Sequence, residues 1–228
     1  MDLKPCFLMV VAVLLTSCFT RAQESSMVKP ARYLIGAPPQ FLIRISSSGT
    51  VPNPNYERES FWYGNLYVDG AASIANQPHL FSIDGIPDLA LSTASIVSDL
   101  IPSKQCLWLV YTSYGWSDPH CGATHGVLLL IDGKTLVPIW RVFLGMDSGG
   151  AGEGYKSTAD YKFSRSAGTT TKGYTPSISV TDEVWATTQE QVRQIGLKPL
   201  STSRRIYTFN GKKFVHASGP VPDECDSP

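Results

Sequence analysis

Val127-Leu-Leu-Leu-Ile131, Asp132-Gly133, Lys134-Thr-Leu-Val137 is the stretch whose reading decides the fold. An apolar run of five, a turn pair and a second apolar run describe a β-hairpin. Asp-Gly supplies the positive φ angles that a type I′ turn needs. Five residues are too few for a buried helix, so the run reads as a strand. A second copy of the signal stands near the C-terminus: Arg205-Ile-Tyr-Thr-Phe209, Asn210-Gly211, Lys212-Lys-Phe-Val-His216. Counting outward from that turn sets Tyr207 opposite Phe214 and Ile206 opposite Val215, which gives one face an aromatic pair.

Working outward, Gln40-Phe-Leu-Ile-Arg-Ile45 ends in Ser46-Ser-Ser-Gly49, and Phe61-Trp-Tyr-Gly-Asn-Leu-Tyr-Val68 enters a tight turn at Asp69-Gly70. Cys106-Leu-Trp-Leu-Val-Tyr111 is a further strand. One short helix is expected around Thr188 to Ile195, with Thr187 and Glu190 as a capping box and Gly196 and Pro199 as the stop. The fold class is therefore mainly β, built of antiparallel hairpins with one short helix. A faint internal repeat runs through it. Gly85-Ile-Pro-Asp-Leu-Ala-Leu-Ser-Thr93 is echoed by Gly173-Tyr-Thr-Pro-Ser-Ile-Ser-Val-Thr181, and each precedes an Asx-Gly-Lys hairpin.

The chain carries 19 basic and 19 acidic residues, so it lacks the bulk charge of a nucleic-acid binder, and no nucleic-acid partner is expected. With 43% hydrophobic and 17% charged residues it is globular. Its N-terminus has a short charged start, the apolar run Phe7-Leu-Met-Val-Val-Ala-Val-Leu-Leu15, and a small-residue exit. These are the three parts of a signal peptide, and the run is too short for a permanent membrane span. Leu15-Thr16-Ser17-Cys18 resembles the bacterial lipobox. The resemblance implies cleavage before Cys18 and acylation of that residue, which would tether the chain to a membrane through its N-terminal lipid. The alternative exit, Thr20-Arg21-Ala22, leaves Gln23 first and a secreted or periplasmic product. The expected organisation is a signal peptide over 1–22 (or 1–17 for a lipoprotein), a tether over 23–32, one β-rich domain over 33–219 and a tail over 220–228.

In an oxidising compartment, Cys106 and Cys121 are expected to form a disulfide, with Cys225 left over. Closing about 15 residues would contribute roughly 3 kcal/mol. Ile83-Asp-Gly-Ile-Pro-Asp-Leu-Ala-Leu91 resembles the second half of an FG-GAP or VCBS-type extracellular β-propeller repeat, whose Asp-Gly-x-x-Asp-Leu core falls on Asp84, Gly85, Asp88 and Leu89. Leu80 and Ser82 stand where that family has further acidic positions, so the resemblance implies extracellular β architecture and a calcium-stabilised adhesion domain only as an alternative.

Three motifs suggest chemistry. Asp147-Ser-Gly-Gly150 is shared with the nucleophile segment of trypsin-like serine proteases, so a secreted serine hydrolase using Ser148 is one reading, with His79 as base and Asp118 or Asp132 as orienter. Gly149-Gly-Ala-Gly-Glu-Gly-Tyr-Lys-Ser157 fails as a phosphate loop because Tyr155 displaces the lysine. His120, Cys121 and His125 are too few, in one knot, for a zinc site. No metal, cofactor or catalytic residue is assigned. Arg204 and Arg205, across the last hairpin from Lys212 and Lys213, read as a four-cation ribbon. Trp62, Tyr63, Trp108, Tyr111, Tyr114 and Trp116 are an aromatic supply for a core or for a contact with an envelope protein or glycan.

Overall fold

The computed structural model of the chain describes residues 30–36, 38, 40–52, 60–72, 77–114, 121–148, 155–167, 174–186 and 198–221. Twelve strands follow one another: β1 (Ala31–Ile35), β2 (Phe41–Pro52), β3 (Ser60–Gly70), β4 (Phe81–Pro87), β5 (Ala90–Ser98), β6 (Gln105–Tyr114), β7 (Cys121–Asp132), β8 (Thr135–Ser148), β9 (Tyr155–Ala167), β10 (Tyr174–Ala186), β11 (Ser201–Phe209) and β12 (Phe214–Ser218). They form a four-stranded sheet, β1-β2-β3-β4, and an eight-stranded sheet, β5 through β12 in chain order, with every neighbour antiparallel. The fold is mainly β. The expected helix at 188–195 lies outside the described residues.

The eight-stranded sheet is creased. Pairing between β8 and β9 is limited to Gly145–Ser148 against Tyr155–Thr158. Strands β6 and β9 are three positions apart, which in a flat sheet is about 14 Å. Yet the Trp108 ring on β6 lies 4.9 Å from Tyr161 and 5.5 Å from Phe163, both on β9, and Trp140 on β8 lies 5.3 Å from Tyr207 on β11. The sheet therefore turns back on itself at β8–β9, and the molecule consists of three four-stranded meanders: β1–β4, β5–β8 and β9–β12.

The middle meander is covered on both faces, which explains its composition. Leu107, Leu109, Tyr111, Val127 and Leu129 point to the first sheet and meet Phe41, Ile43, Ile45, Leu66, Val68 and Ile83. The alternate residues Cys106, Trp108, Val110 and Leu128 point the other way and meet Ile178, Val180, Tyr207 and Phe214. A strand buried on both faces needs apolar residues at every position rather than every second one. The solid runs 106–110 and 127–130 are that pattern. Each fully buried Leu or Val contributes about 1.5–3 kcal/mol relative to exposure. Gly126 is required by the second core, because a Cβ there would lie 2.1 Å from the Trp108 ring.

The turns differ in detail from their sequence reading. The first hairpin pairs Asp132 with Thr135, so the two-residue loop is Gly133-Lys134, and Gly133 alone of the two has positive φ, at 61°. That is the II′ pattern, with glycine first. In the last hairpin Asn210 Oδ1 accepts from the amides of Lys212 and Lys213, both at 3.0 Å, which opens the loop to Asn210–Lys213. The register moves accordingly: Phe209 pairs with Phe214 and Tyr207 with His216. The aromatic pair is Phe209–Phe214, with ring centroids 5.2 Å apart, in place of Tyr207–Phe214. The Asp-Gly-Lys and Asn-Gly-Lys turns join β7 to β8 and β11 to β12, the third and fourth strands of the second and third meanders. The other half of the proposed repeat is not equivalent in space, since 85–93 bridges β4 and β5 whereas 174–181 lies within β10.

The Cys106–Cys121 disulfide is not formed. Cys106 is a free, buried thiol opposite Leu130, while Cys121 begins β7 nine residues away, a strand length of roughly 30 Å. A disulfide tolerates Cα separations only up to about 7 Å. Two cysteines fifteen apart suggested a closed loop; the hairpin instead carries them to opposite ends.

Candidate functional site

Inward positions of the first sheet are apolar, so its outer face holds the alternate residues Arg32, Arg44, Tyr67 and Asp69. The register sets Arg32 opposite Arg44 across β1–β2, and Arg44 opposite Tyr67 across β2–β3. Asp69, two residues beyond Tyr67, is only 6% exposed. Arg44 Nε donates to Asp69 Oδ2 at 2.8 Å, and His79 Nδ1 donates to Asp69 Oδ1 at 2.6 Å. The His79 ring stacks on Tyr67 with centroids 4.1 Å apart, and the Arg44 guanidinium lies 5.6 Å from the same ring. Asn65 extends the network, with its amide donating to the Tyr67 hydroxyl at 2.9 Å and its carbonyl accepting from the Gly85 amide at 2.8 Å.

The electrostatics follow from this geometry. Burial pushes the Asp69 carboxyl up, but hydrogen bonds from His79 and Arg44, together with the Arg44 and His79 charges, outweigh it and hold the group below its ordinary value. The carboxylate accepts from His79 Nδ1, which fixes the ring's orientation and leaves Nε2 as the nitrogen not bonded to Asp69. Arg44 is likewise oriented by its Nε contact, so the outer edge of its guanidinium is presented in a fixed attitude. Such a set can recognise an anion or accept a hydrogen bond at a defined place. Among the described residues, no hydroxyl or thiol nucleophile is in hydrogen-bond contact with His79.

The second Arg–Asp pair sits elsewhere. Arg205 on β11 is 3% exposed and bonded to Asp182 through Nε, at 2.6 Å, and through Nη2. It also donates to the Tyr207 hydroxyl at 3.0 Å and to the carbonyl of Phe143 on β8 at 3.2 Å. Arg205 thus ties the third meander to the second from within their seam. The four-cation ribbon loses this member: Arg204 is exposed, but Arg205 shares the inward face with Tyr207. Strand alternation carried that signal, since Arg205, Tyr207 and Phe209 fall on one side.

Among the other candidates, Cys18 and Cys225 lie outside the described residues, as do Asp118 and His120. Ser148 ends β8, with its backbone opposite Cys121 and Tyr155. Asp132 is at the other end of the same hairpin, roughly 40 Å along the strand, where it faces Lys104 at 3.4 Å. The structure does not bring Ser148 and Asp132 together, and His79 is oriented by Asp69 instead. His125 lies 3.2 Å from the Ser113 hydroxyl and is flanked by Tyr111 and Phe143. Asp84 is exposed and accepts from Ser82 at 3.0 Å, and Leu89 is in the first core. No three His, Cys, Asp or Glu side chains come together as a metal cage among the described residues. Asp69 and Arg44 escaped the sequence reading because Asp69-Gly70 looked like a turn. His79, shortly before β4, instead comes back to the carboxylate.

Comparison with known proteins finds no matching family model, no matching curated protein and no matching solved structure.

Proposed function

We propose that the chain is an exported, lipid-anchored module of the bacterial cell envelope that binds a partner through the outer face of its first sheet. The N-terminal sequence carries the first half of this reading: the apolar run 7–15 followed by Leu15-Thr16-Ser17-Cys18 has the form of a lipoprotein signal. Supporting the second half, Asp69 is buried on the outer face of a sheet and its hydrogen bonds hold Arg44 and His79 in fixed orientations there. Ordering two polar side chains on an open face costs conformational entropy and adds little to the core. That cost is offset where the oriented groups meet a ligand. The partner classes that suit such a face are an envelope protein, a glycan or an anionic headgroup.

The test of export and anchoring is the intact mass of the protein from the membrane fraction of a Gram-negative host. The expected product begins at a triacylated Cys18. A soluble chain beginning at Gln23 would remove the anchor and leave a diffusible binding module. An unprocessed chain in the cytoplasm would overturn the reading altogether.

A further inference from the structure

Strand β1 has five residues and β2 twelve, so β2 runs on past Ile45, the partner of Ala31, with no described strand beside it on that side. Beside the described start of β1 lies a step, a depression of about 380 Å³ whose described lining is Pro30, Ala31, Arg32, Arg44, Ile45 and Ser46. Two like charges stand directly opposite each other at its side, Arg32 and Arg44. Such cross-strand pairs are destabilising. Asp69 compensates Arg44, whereas Arg32 is exposed and has no acidic partner among the described residues. The site therefore presents an uncompensated positive charge beside a guanidinium already held in place.

Chain length supplies the second argument. From Cys18 to Pro30 is twelve residues, which span at most about 40 Å. On the anchoring reading above, on which this inference rests, the arginine pair stays within that distance of the membrane surface. Guanidinium is the side chain best matched to phosphate, through paired N–H donors in a planar fork.

We infer that the Arg32–Arg44 step binds the phosphate of an anionic phospholipid headgroup in the membrane that anchors the chain. The test uses residues 18–228 carrying Cys18→Ser, so that neither an acyl group nor the apolar run 7–15 can mediate association, sedimented with phosphatidylglycerol-containing vesicles and with phosphatidylcholine vesicles. The expected result is binding to the former only. Arg32→Glu should weaken it about tenfold, while Arg204→Glu, an equal charge change on the third meander, should alter it less than about twofold. Equal losses from the two substitutions would reduce the effect to bulk charge and overturn the inference, as would the absence of any preference for anionic vesicles. Inorganic phosphate binding measured by calorimetry, with vesicles inert, would assign the step to a soluble phosphate and overturn the headgroup. Failure with the vesicles while the native chain carries acylated Cys18 sinks this inference and leaves the anchor standing. Vesicle binding by the Cys18→Ser chain, with a native chain found to start at Gln23 without an acyl group, would leave the headgroup site standing and remove the anchor.

Discussion

Arg44–Asp69 and Arg205–Asp182 are built alike. In each, the aspartate lies on a neighbouring strand two residues beyond the arginine's direct partner: Tyr67 then Asp69, Val180 then Asp182. In each a tyrosine completes the set, Tyr67 under the Arg44 guanidinium and Tyr207 as acceptor from Arg205. What differs is the face. Arg44 has a side chain 37% exposed on the outside of the stack, while the Arg205 side chain is 4% exposed in the seam between two meanders. The same diagonal contact is thus an open, addressable group in one place and an internal tie in the other. Local pairing geometry does not decide the role of a charged pair; what covers it does.

That contrast can be broken by substitution. Arg205→Ala should destabilise the fold by about 3 kcal/mol, because it strips hydrogen bonds from Asp182, Tyr207 and the Phe143 carbonyl in a water-poor seam. Urea unfolding measures this directly. The double variant Arg205→Met with Asp182→Leu should recover most of the loss, since an apolar pair replaces the ion pair without leaving a charge behind. Asp69→Asn should cost less, about 1–2 kcal/mol, because Arg44 can turn to water. Equal costs at the two sites would show that exposure does not separate them.

Acid sharpens the same comparison. The Asp69 carboxyl is held below its ordinary value of 3.8 in the folded chain, so its stabilisation is fully present above that value and is lost as pH falls through the folded one. The stability difference between the native chain and Asp69→Asn should therefore shrink as the pH is lowered below about 4. A difference that persists unchanged to pH 2 would mean that the carboxylate charge is not what matters there.

The smallest effect concerns the seam's tightness. Burial pushes the Cys106 thiol up to about 11, so it should resist iodoacetamide at pH 8 in the folded chain and react on unfolding. Arg205→Ala should speed its labelling, whereas Asp69→Asn, on the far side of the stack, should not.

Much of the β architecture was legible because it is written locally. Gly133 and Asn210-Gly211 mark their turns, and the solid runs at 106–110 and 127–130 mark strands. Their doubled burial could have been read from the same runs, since an alternating strand has no use for Leu128 between Val127 and Leu129 unless both faces are covered. The registers were less legible, because a side chain within a turn, as in Asn210 bonding the Lys212 and Lys213 amides, shifts every pair that follows. The candidate site was barely legible: of its residues His79 alone was singled out, and as a base for Ser148. Arg44, Asp69 and His79 are brought together by strand pairing and a returning loop, and nothing in the local sequence of any of them announces the other two. Cys106 and Cys121 erred in the opposite direction: nearness in sequence suggested a contact that an extended hairpin forbids.

The crease at β8–β9 has one more implication. Among the described residues only Gly145–Ser148 and Tyr155–Thr158 are laddered across it, so there the third meander is docked onto the second more by side-chain fit than by backbone bonds. Trp108, Trp140 and the Phe143 carbonyl are among the groups of the second meander that meet it. Side-chain packing around Trp108 and Trp140 therefore holds what four backbone pairs cannot. The brevity of that join makes the fit of those rings, more than the ladder, the measure of how firmly the last third of the domain is seated.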